Sequence, residues 1–279
     1  MKIKKKLLKD YFSQRPDISM AYIFGSYAKG RAIAESDLDV AVYFKPEGDK
    51  LEWEEDRVYE SEDQIWSDVE DIAKKNVDLV VLNRAPSTLA FEVLRTGIPI
   101  IIKDRLLYWR FLSRVSFEAI DFMEMVEDYW KIKQRSSSLN PTDRQRLVRL
   151  IDFLETELAD RKDFIGLCQK TYEHDSGKRR NVERWVENIA NCSVDIGKIL
   201  LASEKRRIPD TYKEMLEHLA WLPGFDEGVA GKLGKFAKLR NILAHEYLDI
   251  RFIQIKEFIQ QAESVYGKLL DFVKGILNK

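Results

Sequence analysis

The chain has 279 residues, 45% of them hydrophobic and 33% charged, with a formal net charge of -1. That length suits two ordinary domains with a sizeable core, and the charge content favours exposed amphipathic helices over a β-sandwich. Basic and acidic residues nearly balance in each half, which excludes a nucleic-acid clamp built on bulk charge.

The first hundred residues alternate between helical and strand patterns. Residues 2–13 predict a helix with Leu7, Leu8, Tyr11 and Phe12 on one side. Residues 20–24 predict a strand that runs into Gly25-Ser26, and residues 38–44 predict a second one around Val40 and Val42. The acidic stretch 51–75 carries Trp53, Val58, Ile65, Trp66, Val69 and Ile72 at roughly helical spacing. Residues 77–82 predict a third strand, Pro86 opens a short helix to about Arg95, and residues 97–102 predict a fourth strand. Pro99 puts that strand at a sheet edge.

Beyond Asp104 no strand pattern follows. Residues 105–133 form one long helical run rich in aromatics. Residues 136–142 then read as a linker, because a serine cluster and Pro141 break the helix; Thr142 or Asp143 caps the next one. Residues 143–172, 178–204, 209–220, 226–244 and 251–277 predict helices, which makes the second half an all-α bundle. The expected organisation is an α+β domain over 1–135, ending in the long helix, a linker over 136–142 and an all-α domain over 143–279.

The two cysteines, Cys168 and Cys192, form no CxxC and have no nearby histidine at ligand spacing. They argue for a reducing compartment and against a zinc site or a disulfide framework. The basic start, Met1 to Lys6, leads into no apolar signal core, and no run of about 18 apolar residues occurs. The expectation is a cytoplasmic protein with no membrane contact.

Two motifs carry chemistry. In the first, Gly25-Ser26 ends a strand, where glycine lets backbone N–H groups approach phosphate oxygens and Ser26 adds a hydroxyl. Lys29 and Arg31 follow as candidate phosphate-neutralising charges, with Gly30 keeping the turn compact. Asp37 and Asp39 sit two apart at the start of the next strand, so their side chains share a face. Asp78, at the start of the third strand, is the natural third carboxylate. Hard oxygen donors of this kind suit Mg²⁺, and a pair of such ions suits transfer of a nucleotide from a triphosphate.

Gly25-Ser26, ten residues, then Asp37-x-Asp39 resembles the polymerase-β-type nucleotidyltransferases, in particular their minimal (MNT) branch, over about residues 1–105. The resemblance implies a mixed sheet with flanking helices, ATP as donor, and Mg²⁺ held by Asp37, Asp39 and Asp78.

The second motif is Arg240-Asn241-Ile242-Leu243-Ala244-His245-Glu246-Tyr247. Arginine offers a fork for phosphate, and histidine exchanges a proton near neutral pH. Together Arg240 and His245 could cleave RNA without a metal if a bend at the helix end brings them to one cleft. The stretch resembles the R-x4-H-x-Tyr motif of HEPN-domain proteins, whose nuclease sites form where two such domains meet. A polar row on another helix, Glu187, Asn188, Asn191 and Asp195, is a candidate contributor; His174 and His218 read as structural or surface residues.

MNT and HEPN proteins are partners in a toxin–antitoxin family. This resemblance implies a fused pair, in which the N-terminal domain transfers AMP to Tyr247 and silences an RNase acting on tRNA or mRNA. It also implies a homodimer or a higher homo-oligomer. Two other readings stand beside it. One is a nucleotidyltransferase for a small molecule such as an aminoglycoside, with the acidic stretch 52–71 as its cationic-substrate wall. The other is a helical half that only dimerises and binds a nucleotide or RNA.

Overall fold

The computed structural model describes residues 5–33, 35–48, 50–135, 139–245 and 252–278, with only the backbone of 244 and 245. Its elements run α1 (Lys5–Gln14), β1 (Ile18–Ile23), α2 (Gly25–Ala28), β2 (Leu38–Phe44), α3 (Glu62–Ala73), β3 (Val77–Val81), α4 (Ser87–Thr96), β4 (Ile98–Ile102) and α5 (Arg105–Gln134). Then come α6 (Pro141–Ala159), α7 (Gln169–His174), α8 (Ser176–Ser203), α9 (Tyr212–Glu217), α10 (Glu227–His245) and α11 (Phe252–Leu277). The chain divides into two compact units, Met1–Asp121 and Phe122–Lys279, and the division falls inside α5.

The first unit is built on a mixed sheet of order β3-β2-β1-β4. β1 lies antiparallel to β2 and β4, and β2 lies parallel to β3. β1 is buried along its whole length, as a central strand covered on both faces must be. Leu38, Val40, Val42 and Phe44 of β2 pack with Leu8 and Phe12 of α1 and Ile65 and Val69 of α3. That packing fixes the register, because a one-residue slip would turn these side chains to the opposite face. Pro99 does stand on an edge strand, β4, where its missing N–H costs no ladder bond.

The predicted helix over 51–75 is realised only from Glu62. The Tyr43 hydroxyl donates to the Glu52 carbonyl (2.8 Å) and accepts from the Glu52 N–H (3.0 Å), and the Glu55 N–H donates to the Asn83 carbonyl (3.0 Å). The Trp53 indole donates to buried Glu118 (3.0 Å). These distant partners hold 52–55 along the sheet, and Val58, placed on a helical face by spacing alone, is 82% exposed.

The second unit is helical, and its buried side chains form one continuous core of its own. Phe122, Met125, Tyr129 and Ile132 from the second half of α5 belong to that core. Asn140, rather than Thr142 or Asp143, caps α6: its side chain accepts from the Asp143 N–H at 2.8 Å, and Pro141 takes the first helical position. The predicted helix 143–172 stops at Ala159 and resumes at Gln169. Phe258 of α11 is fully buried, with ring centroids of Trp185, Phe236 and Tyr266 at 5.4, 4.7 and 5.7 Å. Phe258→Ala should lower the unfolding free energy by about 3–5 kcal/mol, measured by urea denaturation.

Candidate functional site

Gly25 has φ +63, a left-handed conformation that only glycine adopts without strain. A Cβ there would strike the Asp39 carboxylate, so glycine is also required by space. The Phe24 N–H donates to the Asp39 carbonyl at 3.0 Å, tying the end of β1 to the start of β2. Gly30 is likewise left-handed, and the Arg31 N–H closes the turn onto the Ser26 carbonyl at 2.9 Å.

Parallel pairing of β2 and β3 sets Asp39 directly opposite Asp78. Adjacent strands lie about 4.8 Å apart, so the two carboxylates leave the sheet side by side, on the face away from Val40 and Leu79. Burial is the main cause of a raised Asp39 pKa; a hydrogen bond from the Ser26 N–H opposes it, and the charges of Asp78 and Asp37 add to it. The carboxylates therefore repel, and a bound cation would relieve that repulsion. The donor set is chemically right for a hard divalent ion, although no three acidic, His or Cys side chains stand ready-clustered among the described residues.

The other predicted phosphate ligands sit at the surface. Lys29 forms an ion pair with Glu92 of α4 at 3.0 Å, and Arg95 and Lys29 together hold the Glu92 carboxyl down to about 2. Arg31 is exposed.

In the second unit Arg240 is held from three sides. Its Nε donates to Asn191 Oδ1 at 2.6 Å, its Nη1 donates to Asn241 Oδ1 at 3.2 Å, and its guanidinium lies 4.9 Å from the Tyr212 ring centroid. Asn241 is buried. Tyr212 reaches this place because α9 and α10 pack closely at Gly234, where a Cβ would meet Glu217 at 2.7 Å. α10 runs helical through His245, whose side chain lies outside the described residues. Tyr247 lies outside the described residues.

The polar row on α8 divides. Asn191 serves Arg240, whereas Glu187 pairs with Arg184 (3.2 Å) and Asn188 donates to Glu157 (3.1 Å). Asp195 pairs with buried Lys198 at 2.7 Å, and Lys198 also reaches Asp128 at 3.1 Å. His218 is buried against Trp221, with ring centroids 3.5 Å apart, and its Nε2–H donates to Glu214 at 2.9 Å; His174 is exposed. Sequence reasoning missed Tyr212, whose contact with Arg240 bridges two helices and leaves no local pattern.

Residues 6–106 match the family described as polymerase beta, nucleotidyltransferase, and residues 154–274 match the family described as ribonuclease HepT-like. The protein is a nucleotidyltransferase domain followed by a HepT-like (HEPN) domain. Among solved structures, a toxin–antitoxin complex with AMP-PNP is 22% identical with TM-score 0.35, covering 45% of this chain and 98% of the other. A tri-AMPylated Shewanella oneidensis HEPN toxin in complex with MNT antitoxin is 19% identical with TM-score 0.31, covering 44% of this chain and 97% of the other. No curated protein matches the chain.

The acidic stretch of the nucleotidyltransferase domain is largely engaged internally. Glu52 binds Tyr59 and Asn83, Glu54 binds Ser87, Glu62 binds Arg84, and Glu70 accepts from the Val77 N–H. Such carboxylates make a poor wall for a cationic drug. Among the described residues no helix is long and apolar enough to cross a membrane.

Asp39 generates two predictions. Its folded pKa is raised, so its favourable contribution is complete below the unfolded value and is lost as pH rises through the folded one. At neutral pH, without divalent ions, the fold therefore carries a penalty that Asp39→Asn removes while keeping an acceptor for Ser26. Its Tm in EDTA should exceed the wild type's at pH 7, and the gain should shrink on acidification. Gly25→Ala, in contrast, should cost about 1 kcal/mol or more from the left-handed backbone alone, read by the same melting experiment.

Proposed function

We propose that this chain is a self-contained modification switch: its nucleotidyltransferase domain transfers AMP from ATP to Tyr247 of its HEPN domain and thereby silences an RNase. The observation that carries the transfer half is the pairing of Asp39 with Asp78 beside the Gly25 turn. The sequence motif ending in Tyr247, together with the HepT-like match, supports the other half.

Asp37, Asp39 and Asp78 would hold Mg²⁺, and the metal when bound lowers the negative charge around the triphosphate. The Gly25-Ser26 turn offers backbone N–H groups to the phosphates, and Lys29 and Arg31 add charge at its rim. The Tyr247 oxygen attacks the α-phosphorus. The new bond joins that oxygen to phosphorus, the bond to the bridging oxygen breaks, pyrophosphate leaves, and the phenol proton passes to solvent.

In the HEPN domain, the substrate 2′-hydroxyl attacks the adjacent phosphorus and the 5′-oxygen leaves, giving a cyclic phosphate. His245 handles a proton of this exchange, and Arg240 steadies the phosphate charge. The hydrogen bonds that Arg240 donates to Asn191 and Asn241 fix the guanidinium in advance. A homodimer brings two such Arg–His pairs to one joint cleft. AMP on Tyr247, two residues from His245, brings a phosphate that competes for Arg240 and repels RNA.

Expression of Asp39→Asn should arrest growth and leave cleaved RNA in the cell, while wild type and the double variant Asp39→Asn/His245→Ala should do neither. Equal tolerance of all three chains would exclude the nuclease. Arrest that persists in the double variant would place the toxicity elsewhere.

A further inference from the structure

The first unit carries a second concave site that the transfer reaction does not use. It is a cavity of about 340 Å³ at the end of the sheet where β1 begins and where β2 and β4 finish. Gly25-Ser26 follows the opposite end of β1. Six strand residues separate the two places by about 20 Å, too far for one nucleotide to span.

Among the described residues the cavity is lined by Lys45, Lys50, Lys103 and Arg110, with Asp104 as the acid beside them. Asp104 is occupied locally: it accepts from the Leu107 N–H at 2.9 Å and caps α5. Nearby acids are also engaged, Glu47 with Arg57 at 2.6 Å and Asp17 with Arg15 at 2.7 Å. Among the described residues neither Lys45 nor Lys50 has an ion-pair partner. Two of the cations are set on a rigid frame, since the Lys45 N–H donates to the Asp17 carbonyl (2.8 Å) and the Lys103 N–H to the Ser19 carbonyl (2.9 Å). The first turn of α5 also lines the cavity, adding the positive end of a 30-residue helix.

Lys103 is steadied by donating its ammonium to the Arg15 carbonyl, so Lys45 and Lys50 are the charges at the hollow that the described residues leave without an acid. Pro46, Ile18 and Leu106 give the same hollow an apolar wall, which a bare phosphate ion would not use. The volume lies at the lower end of the range for small-molecule sites. We infer that this cavity binds a nucleoside phosphate, with Lys45, Lys50 and Lys103 on the phosphate groups and the apolar wall against the base. It is a site separate from Asp39 and independent of the proposed transfer to Tyr247.

Equilibrium dialysis of the full chain with ATP in EDTA tests this, because side-chain cations need no metal. One saturable equivalent should bind, equally well to wild type and to Asp39→Asn. Lys45→Glu/Lys103→Glu should weaken it at least tenfold, and Lys45→Arg/Lys103→Arg should restore it. If circular dichroism shows the reversed pair misfolded, Lys50→Glu, at an exposed position, takes its place and should also weaken binding.

Absence of saturable binding in EDTA would overturn the inference. So would binding that survives charge reversal but is lost in Asp39→Asn. Inorganic pyrophosphate displacing ATP at equal concentration would remove the role of the base. A single-stranded oligoribonucleotide binding more tightly than ATP through the same lysines would assign the cavity to RNA.

Discussion

The parallel pairing of β2 with β3 is the constraint on which the nucleotidyltransferase domain turns. It places the Asp39 and Asp78 carboxylates side by side on adjacent strands. Hydrophobic packing of Val40, Val42 and Leu79 enforces that register against the repulsion. Apolar burial is thus balanced against an electrostatic cost that is recovered only when a ligand arrives. A fold that stores such a conflict at one spot is one in which a local rule has yielded to function.

The Gly25 turn is part of the same balance. The Asp39 carboxylate occupies the space a Cβ would take, and the Ser26 N–H stabilises its charge. In the HEPN domain the analogous device is the clamp on Arg240, where two asparagines and an aromatic ring fix a guanidinium before any substrate appears. In both places the scaffold positions the charged group: a left-handed turn at Asp39 and side chains from three helices at Arg240.

Features that depend on near neighbours were legible in the sequence. Gly25-Ser26 and Asp37-x-Asp39 are local, and strand periodicity puts Asp39 on the face opposite Val40; Asp37 stands just before β2 begins at Leu38. The fourth strand's edge position followed from Pro99, and the change to an all-α half followed from the loss of alternation after Asp104. Features made by distant partners were not legible. Tyr43 and Asn83 draw 52–55 away from the helix its spacing suggested, and nothing near Arg240 announces Tyr212. Asp195 looked like a cleft residue because it shares a stripe with Asn191, but the buried charge of Lys198 claims it. The basic cavity was invisible for the same reason: Lys45, Lys50, Lys103 and Arg110 come together only when the ends of three strands meet.

In the proposed switch the acceptor of the nucleotide lies in the same polypeptide. Peptide mapping by mass spectrometry, after incubation of the full chain with ATP and Mg²⁺, tests it most directly. AMP should appear on the peptide containing Tyr247, and should be missing from that peptide in Asp39→Asn. A wild-type Tyr247 peptide that stays unmodified under conditions where ATP is consumed would contradict the account.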